Sequence, residues 1–236
     1  MILIADAHIN EIKDRQNDFF ELLDLISTTS EDLVFLGDIF ELWFAIPRFE
    51  ETYQRKFLDW CKKEKQNRKI VYIEGNHEFF LSEELSEYFT VTDPLYYLDK
   101  DSEMLFMHGD MINEKDKKYR FFRWLTKNRV VKFLLRYLPF AKKIVAVIKH
   151  RLINRNKQRG YLPEELLNSF FADLEQFGNP KKVFLGHFHC KYDIVTKEGA
   201  LHAISDFMYN EELSVLKNDG SLHTIHWKKL LEIIDK

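Results

Sequence analysis

The chain has 236 residues, 45% apolar and 31% charged, with 21 Phe, 10 Tyr and 4 Trp. This composition excludes a disordered, collagen-like or low-complexity chain, and a core of this size needs no disulfides. A net charge of −3 argues against a general nucleic-acid binder. Cys61 and Cys190 are too few for a disulfide framework and point to a reducing compartment. At about 150 residues per domain the length predicts one domain over residues 1–236. The opening apolar run is too short for a signal peptide, and no uncharged stretch approaches the roughly 18 residues that cross a bilayer.

Residues 1–5 read as a short buried strand, with Asp6-Ala7-His8 as the loop at its end. Residues 19–26 have helical spacing, residues 33–36 form a second buried strand, and Gly37-Asp38 follows it. A charged, periodic stretch over 49–66 predicts a helix, and residues 69–73 a third strand, entering Gly75-Asn76-His77-Glu78. Strand, loop and helix thus repeat, which favours α/β over an all-β fold. Strands are expected over 96–98 and 104–108, the second running into Gly109-Asp110. Two helical stretches, 117–138 and 141–156, are separated by Pro139, and another helix is expected over 166–177. A strand over 183–185 leads into Gly186-His187-Phe188-His189; short strands around an Asp219-Gly220 turn and a charged final helix complete the chain.

Charge is distributed unevenly along this order. Residues 115–160 hold 16 of the 35 Lys and Arg but one acid, Asp116, for a net of +15; the remainder carries −18. A basic, aromatic-rich helical cap is therefore expected to be inserted in an acidic body. Its apolar residues exceed what one packed helix face requires. They can be a cap with a solvated basic face, or an acyl groove or shallow membrane contact beside anionic phosphates. A +15 segment suggests a strongly anionic ligand.

Five short strands end in a loop that offers a carboxylate, amide or imidazole, and strand ends are where open α/β sheets place their sites. Residues i and i+2 of an extended segment point the same way, so Asp6 and His8, and His187 and His189, can converge. The mixed set suits Mn²⁺, Zn²⁺ or Fe²⁺ better than an all-oxygen site, and without a thiolate cluster it is not structural zinc. A dinuclear centre needs about seven ligands, one of them bridging. Asp6, His8, Asp38, Asn76, His108, His187 and His189 supply that number.

The five blocks, D-x-H, G-D, G-N-H-E, H-G-D and G-H-x-H in this order, resemble the metallophosphoesterase (calcineurin-like) superfamily. That resemblance implies a sandwich of two mixed β-sheets flanked by helices. It implies one metal on Asp6, His8, Asp38 and His189, a second on Asp38, Asn76, His108 and His187, and Asp38 as the bridge. FLGDIFELW at 35–43 and MHGDMINEKDKKYRFFR at 107–123 are further similar to the UDP-2,3-diacylglucosamine pyrophosphatase family of lipid A synthesis. That similarity implies hydrolysis to UMP and an acyl-sugar 1-phosphate, usually with Mn²⁺, at the cytoplasmic face of the bacterial inner membrane. It carries substrate contacts onto Asp116, Tyr119, Phe122 and Arg123. The chain departs from that group at His77, where well-known members have Arg, and after Trp43, where an acid pair is absent.

His77 is expected to act on the leaving phosphate, with a structural hydrogen bond as its alternative. His8 has a rival role over the leaving group. Glu41, Glu78 and Asp110 are expected to support a ligating His or to fix a loop, and Cys190 to be a small packed residue. Arg136, Lys142 and Lys143 are candidate phosphate contacts. The competing functions are a nucleotide or cyclic-nucleotide phosphoesterase, a nuclease and a non-enzymatic scaffold. The long apolar insert argues against the first two, and the complete motif set against the last. Neither a nucleic-acid partner nor an obligate protein partner is expected.

Overall fold

The computed structural model describes residues 1–153 and 163–234, apart from the side chains of Lys13 and Asp14. The strands are β1 Ile2–Ile4, β2 Leu33–Phe35, β3 Trp43–Phe44, β4 Ile70–Ile73, β5 Glu78–Phe79, β6 Val91–Asp93, β7 Tyr96–Asp99, β8 Met104–Met107, β9 Lys182–Leu185, β10 Tyr192–Val195, β11 Ala200–Ala203, β12 Glu212–Leu216 and β13 Leu222–His226. The helices are α1 Lys13–Ser27, α2 Thr52–Glu64, α3 Leu81–Glu84, α4 Lys117–Thr126, α5 Arg129–Tyr137, α6 Ala141–Ile153, α7 Glu164–Phe171, α8 Phe207–Asn210 and α9 Leu230–Ile234.

Six strands form one sheet in the order β13-β12-β1-β2-β4-β6, and five form a second in the order β10-β11-β9-β8-β7. In the first sheet β1, β2, β4 and β6 pair in parallel while β12 and β13 join antiparallel, and in the second β8, β9 and β11 pair in parallel with β7 and β10 antiparallel at the edges, so both sheets are mixed. Side chains alternate across each strand, and the core divides accordingly. Leu3, Val34 and Val71 of the first sheet meet Phe106 and Phe184 of the second between the layers. Ile4, Phe35 and Tyr72 face outward onto α1 and α2 through Phe19, Leu23 and Phe57. On the far side Leu105, Val183 and Leu201 pack beneath Leu167 and Phe170 of α7. The result is the expected α/β sandwich of two mixed sheets flanked by helices.

Several boundaries differ from the sequence expectation. The long second helix spans Thr52–Glu64 because Pro47–Phe49 forms a separate 3₁₀ turn. The helix expected over 166–177 spans Glu164–Phe171, with a 3₁₀ turn at Glu175–Phe177. The stretch 117–138 is two helices, because Asn128 accepts the Val131 N–H and starts α5 afresh. The expected continuation of the next helix to Asn156, and the insert's limit at 160, lie outside the described residues. Two-residue strands β3 and β5 were not expected. They pair in parallel and bind the loop after β2 to the loop after β4.

The insert rests on the body through a small apolar seam, where Leu135, Val145 and Leu152 pack against Phe44, Ile46 and Phe80. Charged contacts surround it. Lys132 reaches Glu83 and Glu84, Arg136 reaches Glu84, and Lys149 reaches Glu11 and Glu51. Arg48 of the body donates to the carbonyls of Leu135, Arg136 and Leu138, closing the C-terminal end of α5. Part of the insert's positive charge therefore complements the acidic body, which corrects the expectation that an anionic ligand alone explains it.

Candidate metal centre

The loops after β1, β2, β4, β8 and β9 meet at one edge of the sandwich. Their approach needs glycine at two points. A Cβ on Gly37 would lie 2.6 Å from the Gly75 nitrogen, and one on Gly75 would lie 2.1 Å from Asp38 Oδ1. Asp6, His8, Asp38, His187 and His189 all have positive φ, between 45° and 72°. Non-glycine residues avoid this region unless the surroundings hold them there, and such strain gathers at functional sites.

Glu78 does much of the holding. Its buried carboxylate accepts the N–H groups of Asp38 (2.9 Å), Ile39 (2.8 Å) and Gly75 (2.6 Å), and the Tyr72 hydroxyl (2.6 Å). Asp38 Oδ1 in turn accepts the His77 N–H at 2.8 Å. Glu78 thus locks two loops together, one of the two roles expected of it. Tyr72 was not anticipated; its only signal was a phenol in an apolar strand, whose hydroxyl needs a buried partner.

Asp38 Oδ2 lies centrally, 3.8 Å from His8 Nε2, 3.8 Å from His77 Nε2 and 3.6 Å from His108 Nε2. Asp6 Oδ1 is 4.0 Å from His8 Nε2 and 3.7 Å from His189 Nε2, while its Oδ2 accepts the His187 N–H at 2.7 Å. Three sets of side chains bring their ligand atoms within 4.8 Å of one another: Asp6, His8 and His189; His8, Asp38 and His77; Asp6, Asp38 and His108. His187 stands outside these sets, with its ring centroid 5.0 Å from that of His108.

The donor set fits cations. Asp6 Oδ1 is buried without a hydrogen-bond partner among the described residues. His108 donates from Nδ1 to the Leu36 carbonyl at 2.7 Å, so its Nε2 faces the centre, 3.1 Å from Asn76 Oδ1. In neutral His108 both of those atoms present lone pairs, a conflict that a bound cation, a proton or a turned Asn76 amide resolves. Burial, reinforced by the Asp38 charge, pushes the Asp6 carboxyl up to about 8. Burial would also raise Asp38, but His77, His108 and His8 pull it well below the usual carboxylate range. Burial and the His108 charge push His187 down to about 4. A carboxyl driven to hold its proton beside an ionised carboxylate and several imidazoles is an arrangement that a bound cation would stabilise.

Around this centre the supporting residues differ in what they touch. His77 donates from Nδ1 to the carbonyl of Glu41 at 2.5 Å. The Glu41 carboxylate lies 3.9 Å from His8 Nδ1 and 3.8 Å from His77 Nδ1. Asp110 accepts from the Tyr119 hydroxyl and pairs with Arg123, whose other Nη donates to the Pro94 carbonyl at 2.7 Å. Tyr119 and Arg123 are thus engaged with the body, while Asp116 accepts the Tyr119 N–H as the cap of α4. Phe122, Lys142 and Lys143 are exposed, and Arg136 pairs with Glu84. Cys190 packs beside the second sheet's outer core.

The chain is 26% identical over 194 residues to a UDP-2,3-diacylglucosamine hydrolase of Shewanella loihica, covering 80% of each chain. It is 28% identical over 166 residues to the protein of that name from Stutzerimonas stutzeri, covering 67% of this chain and 68% of the relative. Among solved structures it is similar to an archaeal phosphodiesterase, with a TM-score of 0.49 and 11% identity over 95% of this chain and 97% of the other. The Calcineurin-like phosphoesterase family profile matches residues 1–191. With this profile match and clustered carboxylates and imidazoles at the strand ends, the chain belongs to the calcineurin-like phosphoesterases and is a metal-dependent hydrolase.

Proposed function

We propose that this phosphoesterase hydrolyses the pyrophosphate of UDP-2,3-diacylglucosamine, or a close nucleotide-linked lipid, to UMP and an acyl-sugar 1-phosphate. The observation that carries the reading is the outward face of the insert. Phe121, Phe122, Trp124, Val130, Phe133 and Tyr137 are all exposed, on a segment that starts from the loop holding His108 and Asp110. A soluble nucleotide needs no such face, whereas acyl chains and a membrane surface do. The names of the curated relatives point to the same substrate.

In this reading Asp6, His8, Asp38 and His189 hold one divalent cation and Asp38, Asn76, His108 and His187 the other, with Mn²⁺ the first choice. Such a pair would supply Lewis acidity to the phosphoryl oxygens and activate a water. His77, fixed through Nδ1 by the Glu41 carbonyl, presents Nε2 to the centre and handles the proton of the leaving phosphate. Phe122, Lys142 and Lys143 offer apolar and cationic contacts along the insert; Asp116, Tyr119, Arg123 and Arg136 shape the same region through the contacts described above. No helix of the described residues is long and apolar enough to cross a membrane. The exposed apolar face of the insert, with its flanking cations, and the names of the relatives support a peripheral position, which we take to be the cytoplasmic face of the inner membrane.

The test compares UDP-2,3-diacylglucosamine, UDP-N-acetylglucosamine and a cyclic nucleotide with Mn²⁺, reading products by phosphorus NMR in ¹⁸O-water. Each buried CH₂ is worth about 0.8 kcal/mol, so removing the acyl chains should lower kcat/KM more than about a hundredfold. Label in UMP would place attack on the α-phosphorus. Equal turnover of the lipid and its deacylated analogue, or turnover of the cyclic nucleotide alone, overturns the lipid assignment.

A further inference from the structure

Lys127 follows α4 and turns inward, with its side chain 12% exposed. Its Nζ donates to the Gly75 carbonyl at 2.7 Å, lies 5.2 Å from the centre of the Phe79 ring and stands 3.8 Å from Glu74 Oε2. The other Glu74 oxygen is engaged by the Ser82 N–H and hydroxyl, at 2.7 Å each. Lys127 therefore addresses two points on the single loop that carries Asn76 and His77, and a third on β5, where that loop ends. The body grips that loop from the opposite side, through Gly75 N–H to Glu78 and His77 N–H to Asp38. Gly75 cannot contribute packing of its own, because no side chain fits there.

The other docking cations act elsewhere. Lys132, Arg136 and Lys149 meet Glu83, Glu84, Glu11 and Glu51, none of them in the loop between β4 and β5. Lys127 instead donates to a backbone carbonyl one peptide away from Asn76. A buried ammonium that fixes a main-chain oxygen constrains the direction of the following peptide.

We propose that Lys127 is a positioning residue: by holding the Gly75 carbonyl it sets the placement of Asn76 and His77, so that docking of the insert and assembly of the metal centre are one event. The proposal rests on the reading of Asn76 and His77 as site residues. Whatever lifts the insert, whether a membrane surface or a bulky ligand beneath it, then also loosens this loop.

The test begins with the metal-free chain, following amide hydrogen exchange of the 74–79 segment. Lys127→Met keeps the stem over Phe79 and removes the donors; it should speed exchange of the Asn76 and His77 amides about tenfold or more. Lys127→Arg, which can still donate to a carbonyl, should restore slow exchange. Lys132→Met, which unpairs Glu83 and leaves Glu84 to Arg136 alone, should leave this segment at wild-type rates. In Mn²⁺ titrations Lys127→Met should weaken binding by about 10–100-fold, and kcat on bis(p-nitrophenyl) phosphate should fall with KM little changed. Wild-type exchange in Lys127→Met, or an equal rise in Lys132→Met, overturns the proposal. If Lys127→Met loses its circular dichroism, Lys127→Leu, which likewise removes the donors, takes its place under the same criteria. Failure of the wild-type chain to take up Mn²⁺ would overturn the metal reading instead, and the exchange data would still decide the role of Lys127.

Discussion

Phe57 and Phe133 are the same residue in opposite situations. Phe57 is fully buried among Phe19, Phe35, Phe40, Trp43 and Tyr72, with ring centroids 5.1–6.2 Å away. Phe133 is 61% exposed and meets only the tilted ring of Tyr137, itself 64% exposed, among the aromatic contacts of the described residues. The body thus hides its aromatic rings while the insert displays them. Charge follows the same division: the body keeps carboxylates in its interior at Asp6, Asp38, Glu78 and Asp110, whereas the insert carries cations on its docking face. Apolar burial fixes the body rigidly enough to hold five of the candidate ligand residues at positive φ. A docked insert with few buried apolar contacts is built to move more easily.

The sharpest test of the body is Asp38→Ala. Three imidazoles surround that carboxylate within 3.8 Å. Its loss should reduce both metals at saturating Mn²⁺ and lower kcat by more than the ~10–100-fold that follows loss of a ligand's support. Elemental analysis that still finds two ions per chain would refute the shared-carboxylate reading. His77→Ala is the counterpart: kcat should fall about 10²–10⁴-fold with metal content retained. Metal lost together with activity would make His77 a ligand or a ligand's support.

Next in size is the link between the two regions. Arg123 and Asp110 are both nearly buried and bound to each other. Arg123→Met would strand the carboxylate, at a cost of about 3–5 kcal/mol. Chemical denaturation that shows no loss would mean that Asp110 finds another cation or becomes protonated.

A smaller effect should come from acid. The hydrogen bond from Lys132 holds Glu84 below 4.5, and the one from Lys149 does the same for Glu11. Their stabilisation is therefore fully present above pH 4.5 and fades as the pH falls through the folded values. Because such pairs are worth about 0–1 kcal/mol, the body should keep its circular dichroism at pH 4 while the insert loosens. Small-angle scattering checks this: an unchanged radius of gyration from pH 7 to pH 4 would show that the apolar seam alone holds the insert.

The same division explains what could be read from the sequence. Asp6, Asp38, His108 and His187 each follow an apolar run, and a buried strand ending in a polar residue is a local pattern. The two sheets follow from those strands and their order. Trp43–Phe44 and Glu78–Phe79 escaped because two residues carry no periodicity, although their pairing is what joins two ligand loops. Asn128 was a cap signal hidden within a continuous amphipathic pattern. The partners of Arg123, Lys127, Arg136 and Lys149 are 13 to 138 residues away along the chain or more than one element distant, so a run of cations could not reveal that the body was their counterpart.

Phe133→Ser should change the fold least of all. The ring removes little apolar surface from water where it stands, so the transfer term that makes a core phenylalanine costly is nearly absent. Stability should stay within about 0.5 kcal/mol of the wild type, whereas Phe57→Ala should lose about 3–5 kcal/mol. A ring exposed in this way is available for the lipid contact proposed above. Flotation with anionic and neutral liposomes distinguishes the two halves of that contact. Phe133→Ser should weaken association with both, while added salt should weaken the anionic case alone, because only the lysines and arginines of the insert are screened. If Phe133→Ser proved as destabilising as Phe57→Ala, the insert would be a packed part of the body and its exposed face no membrane contact. If it altered neither stability nor flotation, the apolar face would serve the substrate's acyl chains alone, and the loss would appear in KM for the lipid substrate.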